Sequence, residues 1–493
     1  MFTHWEGLMI NNYEEKLLKD QQEFETLVKL VTEDWQELEI HKVEENLFKR
    51  VLKLGHDLLE LHLTKRGSGK EDYHGEIPYH SDKGWDYISV FGDIHINRAY
   101  FWEEGLGKGI YPLNGELNLP ERHHSYVLQK WGEMIAVDGT FDKAREVVHE
   151  ILGINIWSKQ MEEINREAGE YVDRFYNAHP KQEQKEPILV VEVDSKGVVM
   201  KKEGDAENKV RLKKGEKPNK KKMATVTAVF GTEKNVRSAE DIVKEELGNG
   251  EKEKANSLQI VKLDTKDEPR PQDRYVRATL RGKEVAFERL VKEIEHRDPH
   301  NRCERVALMD GESALEKKTL EYLPGFVIIT DLFHVMEKLW ELCYFFCDEG
   351  TQEAKDWVRK YLYMLLRGKV GYMIGAIKQK VTKGDFSKSK TNKISKILRY
   401  LEKRKKYMRY DEYLSKGYPI GSGVIEGLCR SFVKDRMELS GMRWTERGAE
   451  AMLELRSAKV NGVWTEFWDY YIDMKKNELY QNQISTGELE NAA

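Results

Sequence analysis

Apolar residues recur at helical spacing through the first part of the chain. Between about Asn11 and Leu63 this spacing predicts two or three amphipathic helices, and Gly67–Lys70 breaks the pattern. In Asp86–Trp102 apolar and polar residues alternate in part. This stretch also contains Gly92-Asp93, a dipeptide typical of tight hairpin turns. We therefore predict a helical scaffold followed by a small β element.

Two further helices are predicted after Thr140. Phe141–Leu152 ends at Gly153, and Ser158 is a candidate N-cap for a second helix that ends near Gly169. A helix, a glycine-containing turn and a helix are compatible with a DNA-binding helix-turn-helix, and also with a plain helical hairpin. The polar, proline-bounded stretch Ala178–Pro187 then predicts a domain boundary.

The stretch Pro187–Met200 combines a buried strand with a carboxylate. Apolar residues interrupted only by Glu192 predict a strand that ends at Asp194. Ser195–Gly197 predicts a turn, and Val198–Met200 a returning strand. Such an Asp is either a functional group fixed on a rigid scaffold or an ordinary turn residue.

The pattern after this stretch predicts the remaining sheet. Ala224–Phe230 reads as a third short strand of an antiparallel meander, Thr232–Pro271 as an irregular insertion and Tyr275–His296 as a helix. Val306–Asp310 and Phe326–Asp331 are apolar strands followed by helices, which implies parallel pairing. The expected fold is α/β: a mixed sheet of the ribonuclease-H type.

Carboxylates cluster at one predicted edge of this sheet. Ligands of open α/β sheets bind at the carboxyl ends of strands, where Asp194, Asp310 and Asp331 all fall. Thr351–Tyr410 predicts a helical block that interrupts the sheet domain. After it, the segment Gly421–Gly423 leads to Glu426 near the start of a helix. An acid at this position either belongs to the site or only interacts favourably with the helix dipole.

Composition narrows the class of protein. The 493 residues are 40% hydrophobic and 34% charged, without a membrane-length apolar run or a signal-peptide pattern at Met1–Glu14. The four cysteines form no CxxC pair and are expected to be thiols in a reducing cytosol. We expect a cytoplasmic, nucleoid-associated protein.

Charge is unevenly distributed along the chain. The net charge is −5, yet Lys201–Lys222 contains ten Lys/Arg against four acids, and Lys378–Lys406 twelve against two. Such runs are usually solvated surface, but two of them favour a polyanionic partner. Together with converging carboxylates they suit phosphoryl transfer assisted by Mg²⁺ or Mn²⁺.

Several long motifs resemble one known family. The chain resembles bacterial insertion-sequence transposases of the ISKra type, which are similar to the Mutator-like branch of DDE transposases, from roughly Pro187 to Trp468. The motifs are VVEVDSKG, VALMDGESALE, FVIITDLFHVMEKLW, NGVWTEFW and, above all, the segment Met408–Trp444. The resemblance implies a ribonuclease-H-like catalytic domain with a helical insertion before the final Glu.

The resemblance also implies roles for individual residues. Asp194, Asp310 and Glu426 would be the catalytic, metal-binding carboxylates, and Asp331 and His334 would match an Asp-x-x-His motif near the active site. Cationic and aromatic residues are expected to contact DNA: Lys220, Lys221, Lys222, Arg430, Lys434, Arg436, Arg443 and Trp444. Ordinary helix-surface charge and a core Trp are the alternatives for the last five. Family members have a CxxC pair after an Arg-aromatic stretch, whereas here Arg98–Trp102 is followed by EEGLGKG, which contains no cysteine, so no zinc site is expected there.

These features predict a DDE transposase. Water activated by the metal would cleave double-stranded DNA at a transposon end, and the freed 3′-hydroxyl would attack target DNA. A decayed or repurposed DNA-binding protein and a nuclease without strand transfer are the alternatives. By family analogy a homodimer or higher oligomer is expected, with no membrane partner.

The predicted domain organisation has seven parts. They are an N-terminal helical region (1–83), a small β element (84–130), a helix-turn-helix-like DNA-binding region (131–180), the first part of the catalytic domain (188–348), the helical insertion (349–412), the C-terminal part of the catalytic domain (413–475) and a polar tail (476–493).

Overall fold

The structure is a computed structural model that describes residues 3–105, 109–201, 221–248, 269–439 and 441–484. These residues form two compact units, one of which holds the chain up to Tyr171 and from Val463 onwards, and the other Val172–Gly462. Each unit is mixed α and β in content.

The first unit begins with helices and one hairpin. Its elements up to Gly169 are α1 (Thr3–Lys29), α2 (Ile40–Arg66), β1 (Tyr79–Ser89), β2 (Gly92–Phe101), α3 (Pro112–Glu116), α4 (Tyr126–Ala136), α5 (Phe141–Leu152) and α6 (Ser158–Gly169). The predicted N-terminal helices and the antiparallel β1–β2 hairpin are confirmed.

Local signals explain where α5 and α6 begin and end. The Thr140 hydroxyl accepts a hydrogen bond from the Lys143 amide, which caps α5, and Gly153 takes the left-handed conformation after its last residue. Trp157, one residue before the predicted Ser158, is the N-cap of α6. The predicted pair of helices is confirmed; whether it reads DNA stays a prediction.

The second unit contains a five-stranded mixed sheet. Its elements are α7 (Val172–Ala178), β3 (Ile188–Val199), β4 (Lys221–Thr232), α8 (Ala239–Leu247), β5 (Gln272–Thr279), α9 (Lys283–Arg297), β6 (Glu304–Met309), α10 (Ser313–Tyr322), β7 (Val327–Thr330), α11 (Leu332–Cys343), α12 (Gln352–Leu366), α13 (Val370–Lys383), α14 (Lys388–Arg404), α15 (Tyr410–Ser415), α16 (Gly423–Leu428), α17 (Asp435–Met437) and α18 (Glu446–Val460). The strand order is β5-β4-β3-β6-β7. β3, β4 and β5 pair antiparallel, whereas β6 and β7 extend the sheet in parallel.

The predicted turn at Ser195–Gly197 is wrong. β3 continues without interruption to Val199, and Lys196 and Gly197 pair with Ala224 and Met223 of β4. The turn-forming residues are tolerated because a neighbouring strand supplies their backbone partners. The meander is therefore β3, β4 and β5, and the basic connection at 202–220 lies outside the described residues.

The helix predicted over Tyr275–His296 is also wrong at its beginning. Gln272–Thr279 is the edge strand β5, and the helix starts only at Lys283, after Gly282 with φ of 112°. Pairing with β4 and the continuous burial of Tyr275–Thr279 overrode the helical spacing. The predicted irregular insertion contains α8, while 249–268 lie outside the described residues.

Helices cover both faces of the sheet. On one face Leu189 and Val191 pack with Phe287 of α9 and Leu315 of α10. On the other face residues such as Ile188 pack with α11 and the helices predicted as an insertion, α12 to α14. The alternation of side chains along β3 assigns Glu192 and Asp194 to this second face.

The last helix, α19 (Trp464–Ile484), is grouped with the first unit. Its aromatic residues Trp464, Phe467 and Trp468 are buried, as predicted. Among the described residues, every helix is too short or too polar to cross a lipid bilayer. All four cysteines are free, and Cys343 and Cys429 are buried.

Candidate active site

The first two candidate carboxylates are neighbours on paired strands, with Asp194 inside β3 and Asp310 directly after the end of β6. β3 and β6 pair in parallel, and their last partners are Val193 and Met309, so Asp194 and Asp310 follow directly on each strand. Adjacent strands are about 4.8 Å apart, which brings the two residues to one edge of the sheet. The Asp194 charge accordingly acts on Asp310.

The loop after β6 is held by the helical insertion. The Tyr400 hydroxyl donates a 2.8 Å hydrogen bond to the Asp310 carbonyl, and Arg404 donates to the Gly311 carbonyl. Gly311 has φ of 91°, and a Cβ there would lie 2.5 Å from the Tyr400 hydroxyl. Only glycine fits this close approach, so α14 supports the position of Asp310.

Asp331 is buried and accepts three hydrogen bonds. Its Oδ1 accepts from the amides of Phe333 at 3.0 Å and Ser422 at 3.1 Å, and its Oδ2 accepts from the Ser422 hydroxyl. The side chain therefore joins the end of β7 to the segment before α16. This arrangement makes Asp331 a positioning residue at the site.

Glu426 is linked to β3 by a second buried carboxylate. Glu192, fully buried on β3, accepts a 2.6 Å hydrogen bond from the Ile425 amide in the first turn of α16. Its other carboxylate oxygen has no hydrogen-bond partner among the described residues. One strand thus carries Asp194 and also fixes the start of the helix that carries Glu426.

His334 lies between two of the acidic residues. Its Nε2 is 3.6 Å from Glu426 Oε1 and 3.8 Å from Asp331 Oδ2, while its Nδ1 is 3.4 Å from Glu337. The structure therefore brings Glu426 to Asp331 and His334, from which it is distant in the sequence. Half-exposed His334 and Glu426 are the members that solvent reaches.

Burial and mutual repulsion raise the pKa of several acids here. Burial raises the pKa of Asp310, and the Asp194 charge adds to it; burial and the Asp331 charge raise that of Glu426. Burial lowers the pKa of His334, but the surrounding carboxylates, led by Asp331, outweigh it and raise the pKa overall. The site therefore carries an excess of negative charge that a cation would relieve.

The donor set fits a divalent cation. Asp331, His334 and Glu426 each offer one ligand atom within 4.8 Å of the others. Asp194 and Asp310 add hard oxygen atoms from the neighbouring strand β3 and from the residue after β6. Carboxylate oxygen atoms are typical ligands of hard divalent ions.

Two of the predicted DNA-contacting residues are structural. Arg436 is fully buried and packs over the Trp444 ring at 4.9 Å. Trp444 is buried, donates its Nε1 proton to the Met437 carbonyl and bridges the end of β3 through Met200. Burial removes both from the DNA-facing set.

The other predicted contacts differ in their surroundings. Arg430, Lys434 and Arg443 are exposed. Lys221 and Lys222 form ion pairs with Glu438 and Glu446, and Lys220 lies outside the described residues.

A basic face of α14 lies next to the Asp310 loop. We define the α14 basic face by its exposed cations: Lys388, Lys390, Lys393, Lys396, Arg399 and Lys403. Its C-terminal end carries Tyr400 and Arg404, which bind the loop after Asp310, so the charge stands at the edge of the candidate site. Much of the predicted basic run Lys378–Lys406 therefore lies on α14, whose C-terminal end contacts the loop after Asp310.

Sequence reasoning missed the residues that position the site. Glu192 is a charged residue inside a buried strand, and that anomaly was a usable signal. Tyr400 and Arg404, four residues apart on α14, gave no signal beyond the charge of the basic run, because their partners are backbone carbonyls far away in sequence. No family model matches this chain, and no curated protein is significantly similar to it in sequence.

Proposed function

We propose that this chain is a DDE-type transposase that cleaves DNA at transposon ends and joins the 3′-hydroxyl to target DNA. The observations that support this most are that Asp194 and Asp310 are neighbours on the paired strands β3 and β6, and that Glu192 of β3 binds the first turn of the helix that carries Glu426. The sheet, a three-stranded antiparallel meander extended by two parallel strands, supports a ribonuclease-H-like fold for that unit.

In this proposal Asp194, Asp310 and Glu426 hold Mg²⁺ or Mn²⁺. The bound cation would supply charge stabilisation to the entering and leaving oxygen atoms of a phosphodiester. Asp331 keeps the start of α16 in place, and Glu192 fixes the same turn from β3. His334 has its Nε2 3.6 Å from Glu426 and 3.8 Å from Asp331, and in its protonated form it can donate a proton from this atom to a leaving oxygen.

The α14 basic face gives the proposed substrate a contact surface. Exposed Lys and Arg side chains bind phosphates without reading sequence, and this face ends beside the Asp310 loop. A DNA strand bound along it would pass the carboxylates. This arrangement favours a polyanionic substrate over a small neutral one.

The test is strand cleavage of the DNA on either side of the coding sequence, where this proposal requires inverted repeats. We expect Asp194→Asn to reduce Mg²⁺-dependent cleavage by at least about 10³-fold while leaving the Kd for end DNA unchanged, because the lost oxygen atom acts on the reacting phosphate. Glu321→Gln, an exposed acid on α10, is the matched control and should cleave normally. Wild-type cleavage by Asp194→Asn would refute the assignment, and cleavage without joined products would leave a nuclease.

A further inference from the structure

We call each pair of facing side chains between α1 and α2 a rung. One rung is acidic on both helices and lies between two rungs that each pair a cation with an anion. At one end Lys16 lies 3.0 Å from Glu60, and at the other Glu23 lies 2.9 Å from Lys53. The two helices run antiparallel, so Asp20, which lies between Lys16 and Glu23, faces the part of α2 between Glu60 and Lys53. Asp57 occupies that position on α2.

Two carboxylates therefore meet where the neighbouring rungs pair a cation with an anion. Asp20 is only 7% exposed, and its Oδ2 is buried without a hydrogen-bond partner among the described residues. Burial raises the pKa of Asp20, and the charges of Asp57 and Glu60 add to it against Lys16 and Lys19. Such a rung needs a cation or a proton.

His56 precedes Asp57 on α2, and one of its ring nitrogens already makes a hydrogen bond. Its Nε2 lies 2.9 Å from the Asp93 carbonyl, which can only accept, so Nε2 is a donor and Nδ1 is the nitrogen that a metal can bind in place of a proton. A backbone carbonyl that accepts from one ring nitrogen is the usual support of a metal-binding histidine. The Nδ1 atom is 3.2 Å from Asp57 Oδ1.

These distances suit a bound ion. His56, Asp57 and Glu60 each offer a ligand atom within 4.8 Å of the others. Two ligands about 2.1 Å from a tetrahedral zinc ion are about 3.4 Å apart, close to the distance between His56 and Asp57. One imidazole nitrogen with carboxylate oxygen atoms is a ligand set for zinc and related transition metals.

We propose that Asp20, His56, Asp57 and Glu60 form a binding site for a divalent transition metal that ties α1 to α2. This site is separate from the candidate active site, because its residues belong to the first unit and to other elements. Its occupation would stabilise the helical hairpin whether or not the chain acts on DNA.

The probe is Zn²⁺, titrated by calorimetry into the full-length, chelator-treated protein in excess Mg²⁺. The parent protein for this experiment carries His334→Ala, which removes the nitrogen ligand of the other candidate site, and each further variant is made in this parent. We expect one bound Zn²⁺, with a Kd at least about tenfold weaker in His56→Ala and in Asp20→Asn. His62→Ala, an exposed histidine on the same helix, is the matched control and should bind as the parent does.

A second measurement guards against loss of folding. Circular dichroism of the two variants should match that of the parent without metal, and Zn²⁺ should raise the Tm of the parent and the control only. Unchanged Zn²⁺ affinity in His56→Ala and Asp20→Asn would overturn the proposal. So would the absence of binding to the parent, since a proton shared with His56 would then satisfy the rung.

Discussion

Replacing Glu192 tests whether the buried strand positions the catalytic helix. In Glu192→Leu a side chain of similar size keeps the core filled but cannot accept the hydrogen bond from the Ile425 amide. In Glu192→Gln the amide oxygen replaces the accepting carboxylate oxygen, so the hydrogen bond remains. The pair of variants separates the loss of an acceptor from the loss of a charge.

The size of the expected effect follows from the hydrogen bond between the Ile425 amide and Glu192. The hydrogen bond is 2.6 Å long, and Ile425 is only 4% exposed, so water cannot replace the lost acceptor. An unsatisfied buried donor costs about 1–3 kcal/mol, which corresponds to about a 5- to 150-fold change in a local opening equilibrium. A carboxylate displaced by about 1 Å can slow a reaction on the order of a hundredfold.

Two measurements follow the effect. Hydrogen exchange of the peptide that contains Ile425 should speed up in Glu192→Leu by about 5- to 150-fold and remain near wild type in Glu192→Gln. Mg²⁺-dependent strand cleavage should fall with it in Glu192→Leu, while the Kd for DNA stays constant. Equal losses in both variants, or unchanged exchange in Glu192→Leu, would refute this reasoning.

Three further predictions concern stability, substrate binding and loop support. Glu454→Ala removes the ion-pair partner of the buried Arg277 and of Arg289 and should lower the free energy of unfolding, measured in urea, by about 3–5 kcal/mol. Glu402→Ala, at an exposed ion pair, should change it by less than about 1 kcal/mol, and equal effects of the two variants would contradict this prediction. Lys396→Gln with Arg399→Gln should weaken DNA binding and reduce the slope of log K against log salt by about 0.9 per lost phosphate contact, and an unchanged slope would exclude this face. Tyr400→Phe loses the hydrogen bond to the Asp310 carbonyl, which costs about 0.5–1.5 kcal/mol, and should slow cleavage without altering the Kd for DNA; wild-type cleavage would show that the contact is dispensable.

Local sequence signals determined the elements and the placing of two carboxylates on them. The apolar runs before Asp194 and Asp310 predicted strands, and the two residues are neighbours on β3 and β6, although β3 continues beyond Asp194 to Val199. The helical block after Thr351 was equally readable, because three amphipathic helices bury one face each. These features depend on residues close together in the chain.

Tertiary pairing decided what local signals could not. Ser195–Gly197 reads as a turn by itself, but β4 offers backbone partners along its whole length, so β3 continues. The sequence left open whether Arg436 and Trp444 contact DNA or are a surface charge and a core Trp, and their packing against each other buries both. The side chains that hold the site together, Glu192 and Tyr400, bond to backbone groups that no periodicity identifies, because those contacts exist only once the strands and helices have met.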